Sequence, residues 1–214
     1  ADSPLLQNMT VFPRGVRHAD DEALSALSKS PYTGELRLID FEGGFPSFEG
    51  IQSLFASSGL EKLEELRLDH GNLPALPALK HPSIRRLNLS ENEITDLSTF
   101  CRGSDLPNLR FLDLSGNRLT KGVIRQLLES KAFPKLESLN LSQNEIGSEG
   151  LIDLANEPGL ESLHELGLVG CGVNTTVYLN WENSQKLQHL KELFLLSYDE
   201  ESAAKTAGYY ALRR

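Results

Sequence analysis

The sequence predicts an α/β solenoid, a stack of short repeats whose parallel strands form one sheet and whose connecting segments are mostly helical. The first observation is an apolar pattern. In residues 136–146 the apolar side chains lie at offsets 0, 3, 5 and 10 from Leu136, with Asn144 at offset 8. The second is its recurrence along the chain at intervals of 21 to 30 residues, which is a period typical of solenoids.

The pattern is complete in the four units that begin at residues 84, 109, 136 and 163, the last with Cys171 in place of asparagine. It resembles the leucine-rich repeat, L-x-x-L-x-L-x-x-N/C-x-L. Weaker copies extend the series, so we expect a single domain over 1–214 with about eight repeats, starting near residues 6, 33, 63, 84, 109, 136, 163 and 190. The resemblance implies a horseshoe with a parallel concave sheet and a mostly helical convex side.

Three successive units from Leu109 are each 27 residues long and align at helical spacing between their strand motifs. The aligned columns are Ile124, Leu151 and Tyr178; Leu127, Leu154 and Trp181; and Phe133, Leu160 and Leu187. These columns predict convex helices packed on the sheet, with Trp181 in the core. The units resemble the ribonuclease-inhibitor-like subclass, here with mixed repeat lengths. The amino-acid sequence of residues 147–168 is similar to those of bacterial proteins of that subclass.

The connecting segments differ in predicted structure. Residues 20–29 begin with acids and continue at helical spacing, which predicts a helix. The unit from Thr33 has 30 residues, and its three extra residues fit a glycine-rich loop before a helix. The unit from Leu63 has only 21 residues and contains Pro74, Pro77 and Pro82, so we expect its convex segment to be extended and not helical. A short helical turn is expected over 97–102.

The C-terminal segment departs from the repeat pattern. Residues 197–200 match a capping box, and alanines follow at helical spacing. We expect a capping helix over about 199–213 that covers the open end of the core.

Composition restricts the classes of partner. The net charge is −9 and the pI about 5.1, a balance that repels nucleic acid and anionic membranes and favours a protein partner with a basic surface. Transmembrane spans are not expected, because no run approaches the roughly 18 apolar residues that one needs. The two cysteines, Cys101 and Cys171, lie inside the array, which favours the cytoplasm, or delivery into a host cytosol, over a disulfide-dependent extracellular site. We expect a monomer.

The repeat leaves offsets 2, 4 and 6 free, and these positions line the concave sheet. One group on this surface has the composition of a protein-recognition site, an aromatic ring among arginines and acids. This recognition patch consists of Arg67, Asp69, His70, Arg86, Arg110, Phe111 and Asp113. The alternative is a solvated face of compensating charges. An apolar strip of Val169, Phe194 and Leu196 either contacts a partner or lies under the C-terminal helix.

Signatures of catalysis are absent from the sequence, and its five histidines are scattered. We therefore expect no catalytic, cofactor-binding or metal-binding residues. The favoured hypothesis is a protein-binding module. A second hypothesis is a GTPase-activating regulator, since Ran GTPase-activating proteins share this repeat subclass, with Arg37 or Arg67 as the electrophile. A third is a structural segment of a longer protein, suggested by the abrupt ends at Ala1 and Arg214.

Overall fold

The computed structural model describes residues 8–12, 20–41, 43–44, 46–156, 158–159, 161–184, 190–196 and 209–211. A nine-stranded sheet runs through these residues with its strands in sequence order. Strands β1 to β8 pair in parallel, and β9 pairs with β8 in the antiparallel direction. The strands are β1 Val11–Phe12, β2 Leu38–Asp40, β3 Glu65–Arg67, β4 Arg86–Asn88, β5 Phe111–Asp113, β6 Ser138–Asn140, β7 Glu165–Gly167, β8 Glu192–Leu196 and β9 Tyr209–Ala211.

Helices connect most of the parallel strands and pack behind the sheet. They are α1 Asp21–Lys29, α2 Phe48–Phe55, α3 Ser98–Gly103, α4 Lys121–Leu128, α5 Gly147–Asn156 and α6 Thr175–Asn183. Side chains cap three of their N-termini: Asp20 accepts from the Ala23 amide, Ser47 from Gly50 and Asn174 from Val177, which satisfies amides that have no partner inside the helix. The predicted α/β solenoid, a leucine-rich repeat horseshoe, is confirmed.

The leucines of the motif form the core between sheet and helices. In the unit at 136, Leu136, Leu139 and Leu141 are at most 1% exposed, while the residues between them in β6 are half-buried. The predicted helical columns also lie in the core wherever the structure describes their side chains. These are Ile124, Leu151, Leu127, Leu154, Trp181 and Phe133.

An asparagine ladder holds the inner turns together. The Asn117 side-chain amide donates to the carbonyls of Leu89 and Leu114, and its oxygen accepts from the Ile94 amide. Asn92 and Asn144 make the equivalent bonds in their own units. The Cys171 thiol occupies this position in the next unit and donates to the Leu141 carbonyl at 2.9 Å.

The first two repeats have a register different from the predicted one. Leu38 pairs with Glu65, and Ile39 pairs with Leu66, so the second unit begins at Leu36 rather than at residue 33, and the predicted three-residue insertion is wrong. Val11 pairs with Leu38, which moves the first start from residue 6 to Met9. The physical reason is burial: this register puts Leu36, Ile39 and Phe41 in the core, whereas the predicted one would have left Ile39 on the concave face.

The short third unit has no helix between β3 and β4, as its prolines predicted. Its back is extended, and Ala75 and Lys80 form isolated parallel bridges to the next unit. His81 is 7% exposed, in the column that Leu60 fills. Its Nε2 lies 2.9 Å from the Leu60 carbonyl, and burial lowers the pKa of this imidazole. The expected short helix at 97–102 is present as α3.

The C-terminal end differs from the expected capping helix. Residues Tyr209–Ala211 form β9 against β8, so the prediction of a helix over 199–213 is wrong at these three residues, and its remaining positions lie outside the described ones. Pairing with β8 occupies backbone groups that an open sheet edge would leave free. No helix in the described parts of the chain has the length and apolar character needed to cross a bilayer.

Candidate functional site

The concave sheet presents three rows of side chains across neighbouring strands. Strand register sets each row, because partner residues in parallel strands lie about 4.8 Å apart. The offset-2 row contains Val11, Leu38, Glu65, Arg86, Phe111, Ser138, Glu165 and Glu192. With the corrected register, Leu38 and Asp40 replace Glu35 and Arg37 in the predicted rows, and Ile39 leaves the surface for the core.

Arg86 and Phe111 form the centre of the predicted recognition patch. They are direct neighbours in β4 and β5, and the Arg86 guanidinium carbon lies 3.7 Å from the centroid of the Phe111 ring. This is a cation–π contact. In the described part of the chain, no carboxylate oxygen forms an ion pair with Arg86, so its cation remains available to a partner.

Arg67 is committed to neighbours within the sheet. Its guanidinium contacts Glu65 at 2.7 Å and Asp40 at 3.3 Å. The hydrogen bond to Glu65, with a smaller contribution from Asp40, raises the pKa of Arg67. Because both carboxylates already compensate its charge, the Arg67 side chain is held in place on β3, next to the strand that carries Arg86.

Asp69 and His70 lie at the turn after β3. Asp69 is 8% exposed and accepts from the Asn88 side-chain amide at 3.0 Å. The His70 Nδ1 lies 3.3 Å from the other Asp69 oxygen, and the His70 ring is exposed. Asp69 therefore positions its neighbours, and His70 is the member of this pair that a partner can reach.

Arg110 does not belong to the three rows. It lies at offset 1, beside the sheet face, where it forms an ion pair with Glu137 of the next unit. Arg37 and Glu64 form the same kind of bridge between the second and third units, at 2.5 Å. Arg110 is therefore part of a lateral series of ion pairs between repeats, and the structure separates it from the Arg86 and Phe111 pair.

The floor of the concave face is a set of self-satisfied polar groups. Asp113 accepts from the Ser115 amide and hydroxyl at 2.9 and 2.6 Å, and from the Asn140 side chain at 3.2 Å. Asn88 with Ser90 repeats the local pair of bonds. These turns fix the side chains at the ends of the strands, so the floor is already ordered before any partner binds.

Two adjoining grooves occupy this face. The first groove, about 300 Å³, runs over β3 to β6 and contains Arg67, Arg86, Phe111 and Asp113 of the patch. The second groove, about 370 Å³, runs over β5 to β8. Sequence reasoning missed several residues that line them, although each lies at a free offset of its strand. They are Glu65, Asn88, Ser138, Asn140 and Glu165.

The predicted apolar strip borders the second groove. Phe194 is 42% exposed on β8, and Val169 is half-buried. Both line the second groove. The side chain of Leu196 lies outside the described ones.

The remaining candidate chemistry is confined to buried or paired groups. Burial raises the pKa of the Cys101 thiol to about 12 and that of Cys171 to about 11, so both are neutral. Arg37, one of the two arginines considered as an electrophile, forms the ion pair with Glu64. No cluster of three metal-ligating side chains occurs among the described residues.

Comparison with known proteins gives matches to two repeat models, to solved structures and to curated relatives. A family model described as Leucine Rich repeats (2 copies) matches residues 82–121, and a second, Leucine Rich repeat, matches residues 134–155. An internalin structure from Listeria monocytogenes has 17% sequence identity and a TM-score of 0.39, covering 93% of this chain and 64% of that one.

Curated relatives include much longer proteins. Tonsoku-like protein of Mus musculus is 29% identical over 192 residues, which is 81% of this chain and 13% of the relative. Osteomodulin of Rattus norvegicus is 38% identical over 89 residues, covering 42% and 21%. Toll-like receptor 4 of Sus scrofa is 36% identical over 115 residues, covering 50% and 13%. The chain thus spans at most 21% of these relatives. Its stacked units and its asparagine ladder give the chain a leucine-rich repeat fold, and two segments of it, residues 82–121 and 134–155, match leucine-rich repeat models.

Proposed function

We propose that this chain is a protein-binding module whose concave face binds a partner protein, with the Arg86 and Phe111 pair at the centre of the contact. The observation that supports this most directly is the 3.7 Å stacking of Arg86, which forms no ion pair among the described residues, on the half-exposed ring of Phe111. Aromatic and arginine side chains dominate binding energy at protein interfaces. Solenoids use extended concave surfaces of this kind for binding.

The surrounding residues support the same proposal. Arg67 and Asp113 line the first groove with the pair, and Asp69 and His70 lie at the turn after β3. Hydrogen bonds within the chain order these side chains without a partner. An ordered surface loses little conformational entropy on binding. Arg110 lies at the margin, paired with Glu137, and contributes there to the stacking of repeats.

The test is capture of partners from cell lysate by the immobilised chain, with bound proteins quantified by mass spectrometry. We expect Arg86→Glu with Phe111→Ala to reduce capture of the specific partner by about 100-fold, since loss of a central interface pair typically costs about 2 to 4 kcal/mol. The melting temperature should change little, because both side chains project from the sheet face.

A matched control is available on the convex side. Arg125 is exposed on α4, and Phe48 is 37% exposed on α2. The variant Arg125→Glu with Phe48→Ala makes the same chemical changes and should retain capture. Equal capture by wild type and the Arg86 and Phe111 variant would refute the placement of the site.

We further propose that the partner surface is basic, because the chain carries a net charge of −9, and that the module is a monomer that acts as a cytoplasmic scaffold without catalysis. Unpaired, buried Cys101 and Cys171 support a reducing compartment. The 27-residue units with helical backs support the ribonuclease-inhibitor-like subclass. GTPase activation remains a secondary hypothesis: a panel of small GTPases with unchanged hydrolysis rates would dismiss it.

A further inference from the structure

We propose that the second groove binds an extended segment of the partner that carries two apolar side chains four residues apart and a lysine or arginine midway between them. The inference rests on the proposed function, because it specifies what the concave face recognises. It adds residues outside the recognition patch to Phe111 and Asp113 of that patch. The added residues are principally Glu165, Glu192, Gly167 and Phe194.

Two aromatic rings mark the ends of the binding surface. Phe111 on β5 pairs in register with Ser138 of the groove floor, and Phe194 on β8 is 42% exposed at the far side. Strand spacing puts their Cα positions about 14 to 16 Å apart, and the ring ends lie closer because this is the inner side of the curve. An extended chain advances about 3.3 to 3.6 Å per residue, so side chains four residues apart match this separation and point to the same side.

The floor between the rings consists of small and polar residues. Gly167 on β7 has no side chain, and a Cβ there would lie 2.5 Å from the Asn140 side-chain oxygen. The neighbouring floor residues Ser138 and Ser142 are small. The missing Cβ makes room for the Asn140 side chain, which lies over Gly167, and these small and polar residues form the floor of the second groove.

The negative charge in and beside the second groove favours a cationic residue between the two apolar side chains of the bound segment. Glu165 on β7 and Glu192 on β8 are direct register partners, and Asp113 lines the other side of the groove. Among the described residues none of these three carboxylates forms an ion pair. Like charges directly opposite each other destabilise a sheet, so the pairing of Glu165 with Glu192 does not stabilise this one.

A cationic side chain in the groove would relieve this repulsion. In an extended segment, the residue midway between anchors at positions one and five points to the same face as both of them. That position lies above β6 and β7, next to Glu165. Charge complementarity therefore favours lysine or arginine there, in agreement with the basic partner surface proposed above.

The probes are three synthetic peptides of equal length. The first is Gly-Ser-Phe-Ser-Lys-Ser-Phe-Ser-Gly, the second replaces lysine with glutamate, and the third has the same composition with its two phenylalanines adjacent. Titration into the ¹⁵N-labelled full chain, followed by NMR, should show amide shifts in residues 138–142 and 165–169 with the first peptide. Its affinity should exceed that of the other two by at least about fivefold.

Variants of the chain test the carboxylates. Glu165→Gln with Glu192→Gln should lower the affinity for the lysine peptide by about fivefold or more. Added salt should reduce the difference in affinity between the wild-type chain and this variant. Glu61→Gln with Glu129→Gln removes two exposed carboxylates away from the groove and should leave the affinity unchanged. Equal binding of the three peptides, binding unaffected by the groove variant, or no binding of any peptide at millimolar concentration would overturn the inference.

The two proposals fail separately. If the peptide results contradict the inference while lysate capture still depends on Arg86 and Phe111, the concave binding function stands and only the segment chemistry is wrong. If lysate capture is also insensitive to the Arg86 and Phe111 variant, the proposed function fails with it.

Discussion

At the residue scale, the ladder position shows how one side chain joins two repeats. Asn144 donates to the carbonyls of Leu114 and Leu141, and its oxygen accepts from the Leu119 amide. A thiol has no acceptor atom comparable to the amide oxygen of asparagine. Cys171 donates to the Leu141 carbonyl, but among the described residues no group accepts a hydrogen bond from the Ile146 amide, which corresponds to the Leu119 amide.

This difference predicts opposite effects for a pair of reciprocal substitutions. Cys171→Asn supplies an acceptor for the Ile146 amide and should raise the free energy of unfolding by about 1 kcal/mol. Asn144→Cys keeps one donor, for the Leu114 carbonyl, but removes the bond to the Leu141 carbonyl and the acceptor of the Leu119 amide, so it should lower the free energy of unfolding by about 1 to 3 kcal/mol. Urea denaturation measures both. A destabilising Cys171→Asn would show that the turn geometry there excludes the larger side chain.

At the scale of the element, the sequence predicted the units from Leu63 onward because apolar residues at offsets 0, 3 and 5 fix the register there, with asparagine at offset 8 in the units from residues 84, 109 and 136. The first two units lack the asparagine, and in residues 36–41 two apolar series overlap: Leu36 and Leu38, or Leu36, Ile39 and Phe41. The helical columns contained the missing signal. Leu24 and Ile51, buried in α1 and α2, lie 15 residues after Met9 and Leu36, as Ile124 lies after Leu109.

The corrected register can be tested with adjacent residues of β2. Ile39 is fully buried, and Leu38 is half-buried on the concave face. Ile39→Ala should therefore lower the free energy of unfolding by about 2 to 4 kcal/mol, the usual result of removing a core side chain. Leu38→Ala should cost less than half as much. The reverse order in urea denaturation would favour the register that begins at residue 33.

The concave site was predictable only in part, because the repeat pattern identifies exposed positions but not the contacts of their side chains. Offsets identify which residues project from the sheet, so Arg86, Phe111 and Asp113 followed from the pattern. The offsets do not identify side-chain partners. Arg67 forms ion pairs with Glu65 and Asp40, Arg110 forms one with Glu137, and Asp69 is nearly buried. These contacts depend on rotamers and on the register of neighbouring units. Pairing of side chains, rather than composition, decides which charges a partner meets.

At the scale of the whole molecule, the array has a continuous sheet but an interrupted helical layer. Strand pairing runs without a break from β2 to β5, whereas the third unit contributes no helix between α2 and α3. Helix α1 packs on α2, α3 on α4 and α4 on α5, and α2 makes no such contact with α3. Since each unit is stabilised only by its neighbours, coupling is weakest at the third unit.

This interruption predicts that the two parts of the array open independently. Ile51 of α2 and Leu127 of α4 are both fully buried, so truncation to alanine should destabilise each by about 2 to 4 kcal/mol. Native-state hydrogen exchange should show faster exchange over 21–55 in Ile51→Ala with little change over 121–156, and the opposite in Leu127→Ala, because opening follows local stability. Uniform acceleration along the chain in both variants would mean that the sheet alone transmits stability across the third unit, and that the array unfolds as one cooperative body.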